Sequence, residues 1–215
     1  DSFHTKDAAD MLKKCVDQLD ALEQRTGVCV HVDLEAEPGC RLQRSHDVAD
    51  FMNTYFGDDA RARKYIRVCH DTCHGAVMHE HIEDMLTNYS NAGLLIGKVQ
   101  VSSAIEVDFN TANTTDCIQD LKAIAEPRYL HQTTILNNQE LLFYENLSDV
   151  PLENPSGVWR VHFHVPIHQK TVGSLGTTQS DLIYSIPALV QFGVTNWEVE
   201  TYTWSVMPST MRVGD

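Results

Sequence analysis

From Lys6 to Arg25, apolar residues recur at Ala9, Leu12, Val16, Leu19 and Leu22, a spacing that keeps them on one side of a helix. The spacing predicts an amphipathic helix of about five turns, with Thr5 as its N-cap and Gly27 as its stop. The pattern then switches to a β-branched run, Val28 to Glu35, that closes on acidic residues before Pro38-Gly39. It reads as a buried strand with carboxylates at its C-terminal end. The alternation returns twice. Asp47 to Phe56 reads as a helix and Tyr65 to Asp71 as a strand; a helix around His81 to Tyr89 and a turn at Asn91-Ala92-Gly93 then precede the strand Ile96 to Val101.

Between Asp116 and Leu147 the rhythm breaks. Arg128 to Ile135 and Glu140 to Tyr144, flanking Leu136-Asn137-Asn138-Gln139, have the pattern of a hairpin, which is expected to be an insertion, about 116–158, over one face of the core. Trp159 to Pro166 then alternates strictly, a helix is expected from Thr178 to Phe192, and Trp197 to Tyr202 reads as the last strand. Strands alternating with helices predict an α/β fold with a parallel sheet. The principal strands fall short of a complete (β/α)8 TIM barrel, which takes about 250 residues. The expected architecture is therefore one partial TIM-barrel domain over 1–215, the C-terminal half of such a barrel, with a freestanding flavodoxin-like sheet as the alternative.

Composition narrows the partners. The 215 residues carry 16 Lys and Arg against 30 Asp and Glu, a net charge of −14, which works against nucleic acid, whose binders need clustered cations. No apolar run approaches membrane-spanning length, and no secretory signal opens the chain at Asp1. Six cysteines without a CxxC pair fit reduced thiols, so a cytoplasmic location is expected. Walker, GxGxxG, HExxH and GxSxG motifs do not occur, which removes the usual nucleotide, zincin and serine-hydrolase readings.

The polar residues collect at strand C-termini, where α/β barrels place catalytic groups. Glu35 and Glu37 follow the first strand, and Glu35 is the stronger candidate because its strand is apolar. Asp71 and His74 straddle the end of the second strand and can converge on one cation or on neighbouring ones; this reading is favoured over the alternative, in which Asp71 caps the next helix. His162 and His164 share a strand face, as do Glu198 and Glu200, and the two imidazoles form a plausible bidentate metal site. His70 and Cys73 read as structural, and His79 and His81 as part of a solvated helix face.

Taken together, Val32-Asp33-Leu34-Glu35-Ala36-Glu37-Pro38, Cys69-His70-Asp71-Thr72-Cys73-His74, Gly97-Lys98-Val99-Gln100-Val101-Ser102-Ser103-Ala104, Glu126 to Gln132, Trp159 to Pro166, Leu175 to Gln179 and Glu198 to Trp204 resemble the EboE-type metabolite-traffic family. That family belongs to the xylose isomerase-like TIM-barrel superfamily, with sugar epimerases and the endonuclease IV type. The resemblance spans nearly the whole chain and implies that the N-terminal half of the barrel is missing from it. It also implies a divalent metal ion, zinc, manganese or magnesium, on Glu35, Asp71 and Glu200, with His74, His162 and His164 as further ligands. Glu35, Glu200 and His74 are the implied catalytic residues, and Gln100, Arg128 and His131 the implied substrate contacts. Gln100 departs from the family by standing where a metal-binding His is usual, and His162 by standing where the endonucleases have Asp.

Three functions follow from the resemblance. In an isomerase or epimerase acting on a small sugar-like or polyol metabolite, the cation polarises a carbonyl and a carboxylate moves the proton. A metabolite-binding or delivery protein keeps the barrel without the chemistry, and the Gln100 departure permits this. A metal-dependent phosphoesterase of the endonuclease IV type is third, opposed by the net charge.

Overall fold

The computed structural model describes residues 2–212. In chain order the elements are α1 (Ser2–Thr26), β1 (Val32–Glu35), α2 (Ser45–Phe56), α3 (Ala60–Tyr65), β2 (Ile66–Asp71), α4 (Thr72–Val77), α5 (Ile82–Asn91), β3 (Ile96–Val101), β4 (Ser103–Asp108), α6 (Thr114–Ile124), β5 (Thr133–Asn137), β6 (Glu140–Tyr144), β7 (Val158–Val165), β8 (Thr171–Val172), β9 (Leu175–Thr177), α7 (Gln179–Phe192) and β10 (Trp197–Val199). Short 3-10 turns occupy Leu147–Asp149 and Tyr202–Val206. No described helix is long and apolar enough to cross a membrane.

The apolar stripe of α1 buries Ala9 and Val16 and packs Leu12 and Leu19 against the same core. The helix begins before Thr5, which therefore lies inside it rather than at its cap. At the other end Gly27 adopts φ +73 and donates its N–H to the Glu23 carbonyl, closing the helix as expected. β1 is shorter than its β-branched run, and Val28 and Val30 are exposed. The partner strand explains the difference: Val32 pairs with Ile66, the residue before Ile66 belongs to α3, and nothing extends the ladder.

Four parallel strands in the order β1-β2-β3-β10 form one sheet, open at both edges and not closed into a barrel. Leu34, Val68, Val99 and Val101 join the core beneath α1, α2, α5 and α7. Between β2 and β3 the register slips after Val68, leaving Gly97 as the extra residue. A Cβ on Gly97 would strike the Asp33 carboxylate, so glycine leaves room for that side chain.

The second sheet is antiparallel, in the order β6-β5-β7-β4-β9-β8, and corrects two expectations. The alternating run Trp159–Pro166 is not a parallel strand: β7 pairs antiparallel with β4 on one side and β5 on the other. The hairpin β5-β6 is likewise a continuation of that sheet rather than a lid over the first. Strict alternation is the pattern of antiparallel strands, whereas parallel strands buried on both faces read as continuous apolar runs, so the pattern of this run agrees with its antiparallel pairing. A second core, built on Trp159, Val161, Phe163, Ile105 and Leu121, fills the space between this sheet, α6 and the chain after β10.

The sheets meet where the chain passes from β3 to β4 through Ser102. The Thr72 hydroxyl accepts from the Ser102 N–H (3.1 Å) and lies 2.7 Å from the Ser102 carbonyl, pinning the start of α4 to this crossing. α4 is buried along its whole length, and Cys73, Ala76 and Val77 pack on Ala104 of β4. Arg160 of β7 holds it from the other side, donating to the Ala76 carbonyl (2.8 Å), Glu106 (2.7 Å) and Asp181 (2.7 Å).

Candidate metal centre

Asp71 ends β2 and caps α4. Its Oδ1 accepts from the Cys73 and His74 N–H groups at 2.7 and 3.0 Å. The capping and functional readings of Asp71 are compatible, because they use different oxygens: Oδ2 is buried, has no hydrogen-bond partner, and lies 3.9 Å from His164 Nδ1. An unpartnered buried carboxylate oxygen is costly and calls for a cation or donor.

The cap fixes the first turn of α4 and so directs His74 toward β7. There, as the strand alternation requires, His162 and His164 share one face, with Nε2 atoms 2.9 Å apart. His74 Nε2 lies 3.1 Å from His162 Nε2, so three ring nitrogens from two elements meet at one point. Each ring is held from behind. His74 Nδ1–H donates to the Ala36 carbonyl (3.0 Å), His162 Nδ1–H to Gln132 Oε1 (2.7 Å), and His164 Nδ1 meets Ser102 Oγ (2.8 Å). Gln132 is itself oriented, because its amide N–H donates to the Pro38 carbonyl. Such outer contacts set the tautomer and aim of metal-binding imidazoles.

These contacts have a chemical consequence. With Nδ1 donating to a carbonyl-type oxygen in both His74 and His162, each Nε2 presents a lone pair, and the two lone pairs face each other across 3.1 Å with no proton to share. Protonation does not resolve the conflict near neutral pH. Burial lowers His74 and His164 to about 4 and His162 well below its ordinary value. Zinc bonds of about 2.0–2.1 Å to imidazole place tetrahedral nitrogens roughly 3.3 Å apart, close to the separations observed. The donor set therefore fits a divalent ion.

Carboxylates complete the surroundings. Glu35 Oε1 is 3.3 Å from His74 Nδ1, Glu37 Oε2 is 3.4 Å from His74 Nε2, and Glu37 Oε1 is 3.7 Å from His162 Nδ1. Burial, then repulsion from Asp71 and neighbouring carboxylates, pushes Glu35 and Glu37 up to about 7. Burial and Asp71 also raise Glu200. Three groupings could each hold an ion: Asp71 with His74 and His164, Glu37 with His74 and His162, and Cys73 with His162 and His164, the ligand atoms in each lying within 4.8 Å of one another.

The structure thus brings Glu35, Asp71, His74, His162 and His164 together, with Glu200 facing the same mouth. Gln100 lies beside Asp71 in register and is buried, but its Oε1 accepts from the Cys69 thiol. His131 is fully buried, stacks on Phe163 and donates to the His162 carbonyl (3.1 Å), so it supports β7 from the core side. Its Nε2 is 3.4 Å from Glu126 without hydrogen-bond geometry. Arg128 is exposed and makes none of the contacts that join the cluster. Cys73, read as structural, contributes a buried thiol whose proton burial retains. His79 is not on a solvated helix face. It follows α4 at φ +53 with a buried, unpartnered Nε2, whereas His81 is exposed at the start of α5.

Glu37 is more central than its position beside Pro38 suggests, and Gln132 and Ser102 had no sequence signal of their own. Their roles depend on which strand β7 pairs with.

An α/β protein with an imidazole and carboxylate cluster suited to a divalent ion, at the junction of two sheets, is the class these features define. Comparison with known protein families, characterised proteins and solved structures finds no match.

Proposed function

We propose that this chain is a divalent-metal protein of the isomerase or epimerase type, acting on a small sugar-like or polyol metabolite. The observation that carries the reading is the pair of fixed lone pairs on His74 and His162, beside the unpartnered Asp71 oxygen, at strand C-termini. The resemblance to the EboE-type metabolite-traffic family supports the same reading, and an open sheet of four parallel strands is what half of a xylose isomerase-like barrel would present.

His74, His162, His164 and Asp71 would hold the ion, which when bound supplies Lewis acidity toward a carbonyl oxygen. The chain's own residues supply the proton traffic. Glu35, held at about 7, exchanges a proton at neutral pH through its carboxyl oxygens, the property a general acid-base group needs. Glu200, raised in the same direction, is the second proton carrier. A second reading, binding without turnover, is favoured by Gln100, whose amide oxygen is engaged by Cys69.

The test is elemental analysis of protein purified without chelator, beside Asp71→Asn and His162→Ala, followed by solvent-deuterium exchange into a panel of ketohexoses. Asn retains the α4 cap, so loss of metal in Asp71→Asn reports on the charge. About one ion per chain, lost in both variants, is expected. Exchange should disappear in Glu35→Gln with the ion retained. An ion without exchange selects the binding reading, and no ion in the parent overturns the proposal.

A further inference from the structure

Two cavities of similar size differ sharply in their walls. One, of about 460 Å³, surrounds Arg160, Glu106, Asp108 and Asp181 and mixes these charged groups with Ile82, Leu136 and Val158. The other, of about 450 Å³, runs between α1, the end of β1 and α2, and its walls are mostly apolar, with Leu12, Leu34, Leu42 and Phe51 beside Thr5 and Arg41. Glu35 and Glu37 line this second cleft too. The same two carboxylates stand 3.3 and 3.4 Å from the His74 ring, so the cleft and the imidazole cluster share Glu35 and Glu37 as a common boundary.

The sugar-like head of a ligand does not itself use such walls. Leu12, Leu34 and Leu42 are only partly buried, and their exposed surfaces face the cleft. The volume falls within the usual range of small-molecule sites, about 300–1,000 Å³, which are mostly apolar with a few convergent polar groups. Here the convergent groups are Glu35 and Glu37, at one boundary of the apolar surface.

We propose that the ligand of this site is amphipathic: an oxygen-bearing head at the imidazole and carboxylate cluster, and an aliphatic or aromatic chain lying in the cleft between α1, β1 and α2. The assignment rests on the proposed function for the head group only. The occupant is a small molecule rather than a protein segment, because the cleft has a small-molecule volume and is bounded by Glu35 and Glu37, which stand beside His74.

Calorimetry on the zinc-loaded full chain with acetohydroxamate and octanohydroxamate tests it. The longer probe should bind about 100-fold tighter, the gain from partly burying its additional methylenes. Ala8 is exposed and lines the cleft, so Ala8→Trp fills it at little risk to folding. This variant should reduce the chain-length gain below about 5-fold and leave acetohydroxamate affinity within about twofold. Saturation-transfer NMR on chelator-treated protein, with octane-1,2-diol against ethane-1,2-diol, keeps the cleft testable without metal. A signal for the longer diol only, lost in Ala8→Trp, supports the cleft even where neither hydroxamate binds, an outcome that sinks the metal reading alone. Equal affinity of the two hydroxamates, no signal from octane-1,2-diol, or a dimer whose formation excludes it would each overturn the proposal.

Discussion

The two sheets contribute differently to the site they share. The parallel sheet supplies carboxylates at its strand ends, partly open to water: the side chains of Glu35 and Glu37 retain 32% and 33% exposure. The antiparallel sheet supplies His162 and His164 from the C-terminal half of a buried strand, where they are 7% and 1% exposed. Burial keeps the imidazoles neutral, and burial, then repulsion from Asp71 and other carboxylates, keeps Glu35 and Glu37 partly protonated near neutral pH. One side offers neutral ring nitrogens and the other carboxyl groups raised to about 7. α4 joins them, with its cap on the parallel sheet and its body against β4 and β7.

Because each sheet has its own core, removing the largest buried side chain of one should separate their fates. Trp159→Ala should cost about 3–5 kcal/mol, because Trp159 is 2% exposed and packs edge-on against Phe109. Four of the longest helices pack on the other core, so zinc binding should be lost in urea before the far-ultraviolet helix signal. Coincident loss of both would show that the sheets fold as one cooperative unit.

The division of labour is sharpened by comparing ligand variants. His162→Ala and His164→Ala should each weaken zinc binding by about 100-fold or more, and Glu200→Gln by about threefold or less. Competition with a fluorescent chelator measures both. Equal losses would place the ion among the carboxylates and not at the converging Nε2 atoms.

What the sequence revealed follows the same boundary. β3 spans Ile96–Val101 as its apolar run predicts, and β2 differs by one residue, because each is an apolar-rich run that follows a helix and closes on polar residues. The shared face of His162 and His164 was legible because strand geometry alone dictates it. The partner of β7 was not, since antiparallel pairing with Ser103–Asp108 depends on contacts distant in sequence. α4 is too short to show a period, and β4 follows β3 after a single residue, which hides the change of sheet. Gln132 and Ser102 became meaningful only once that pairing placed them behind the imidazoles. Arg128, singled out from a matching segment, stays outside the cluster, since segment resemblance does not fix where a side chain ends up.

The smallest effect concerns protons. Glu35 and Glu37 hold theirs to about 7 in the folded chain against an ordinary 4.5, so the native state binds more protons than the unfolded one between those values. Their contribution is most favourable below about 4.5 and is lost as pH rises through 7. His74 and His164, lowered to about 4 from 6.5, act in the opposite direction, and stability gained from them rises between about 4 and 6.5. Above 6.5 the imidazole contribution is complete and only the carboxylate cost still grows. Metal-free Glu35→Gln/Glu37→Gln should therefore exceed its parent by about 1–2 kcal/mol at pH 8, a figure discounted for the partial exposure of both groups. At pH 4.5 the two should match within about 0.5 kcal/mol, as urea midpoints would report. Saturating zinc should shrink or reverse the gain at pH 8, because an ion relieves the repulsion that the substitutions remove. A gain of equal size at both pH values would trace the effect to packing instead of charge, and the carboxylate side of the comparison would lose its role as a proton store.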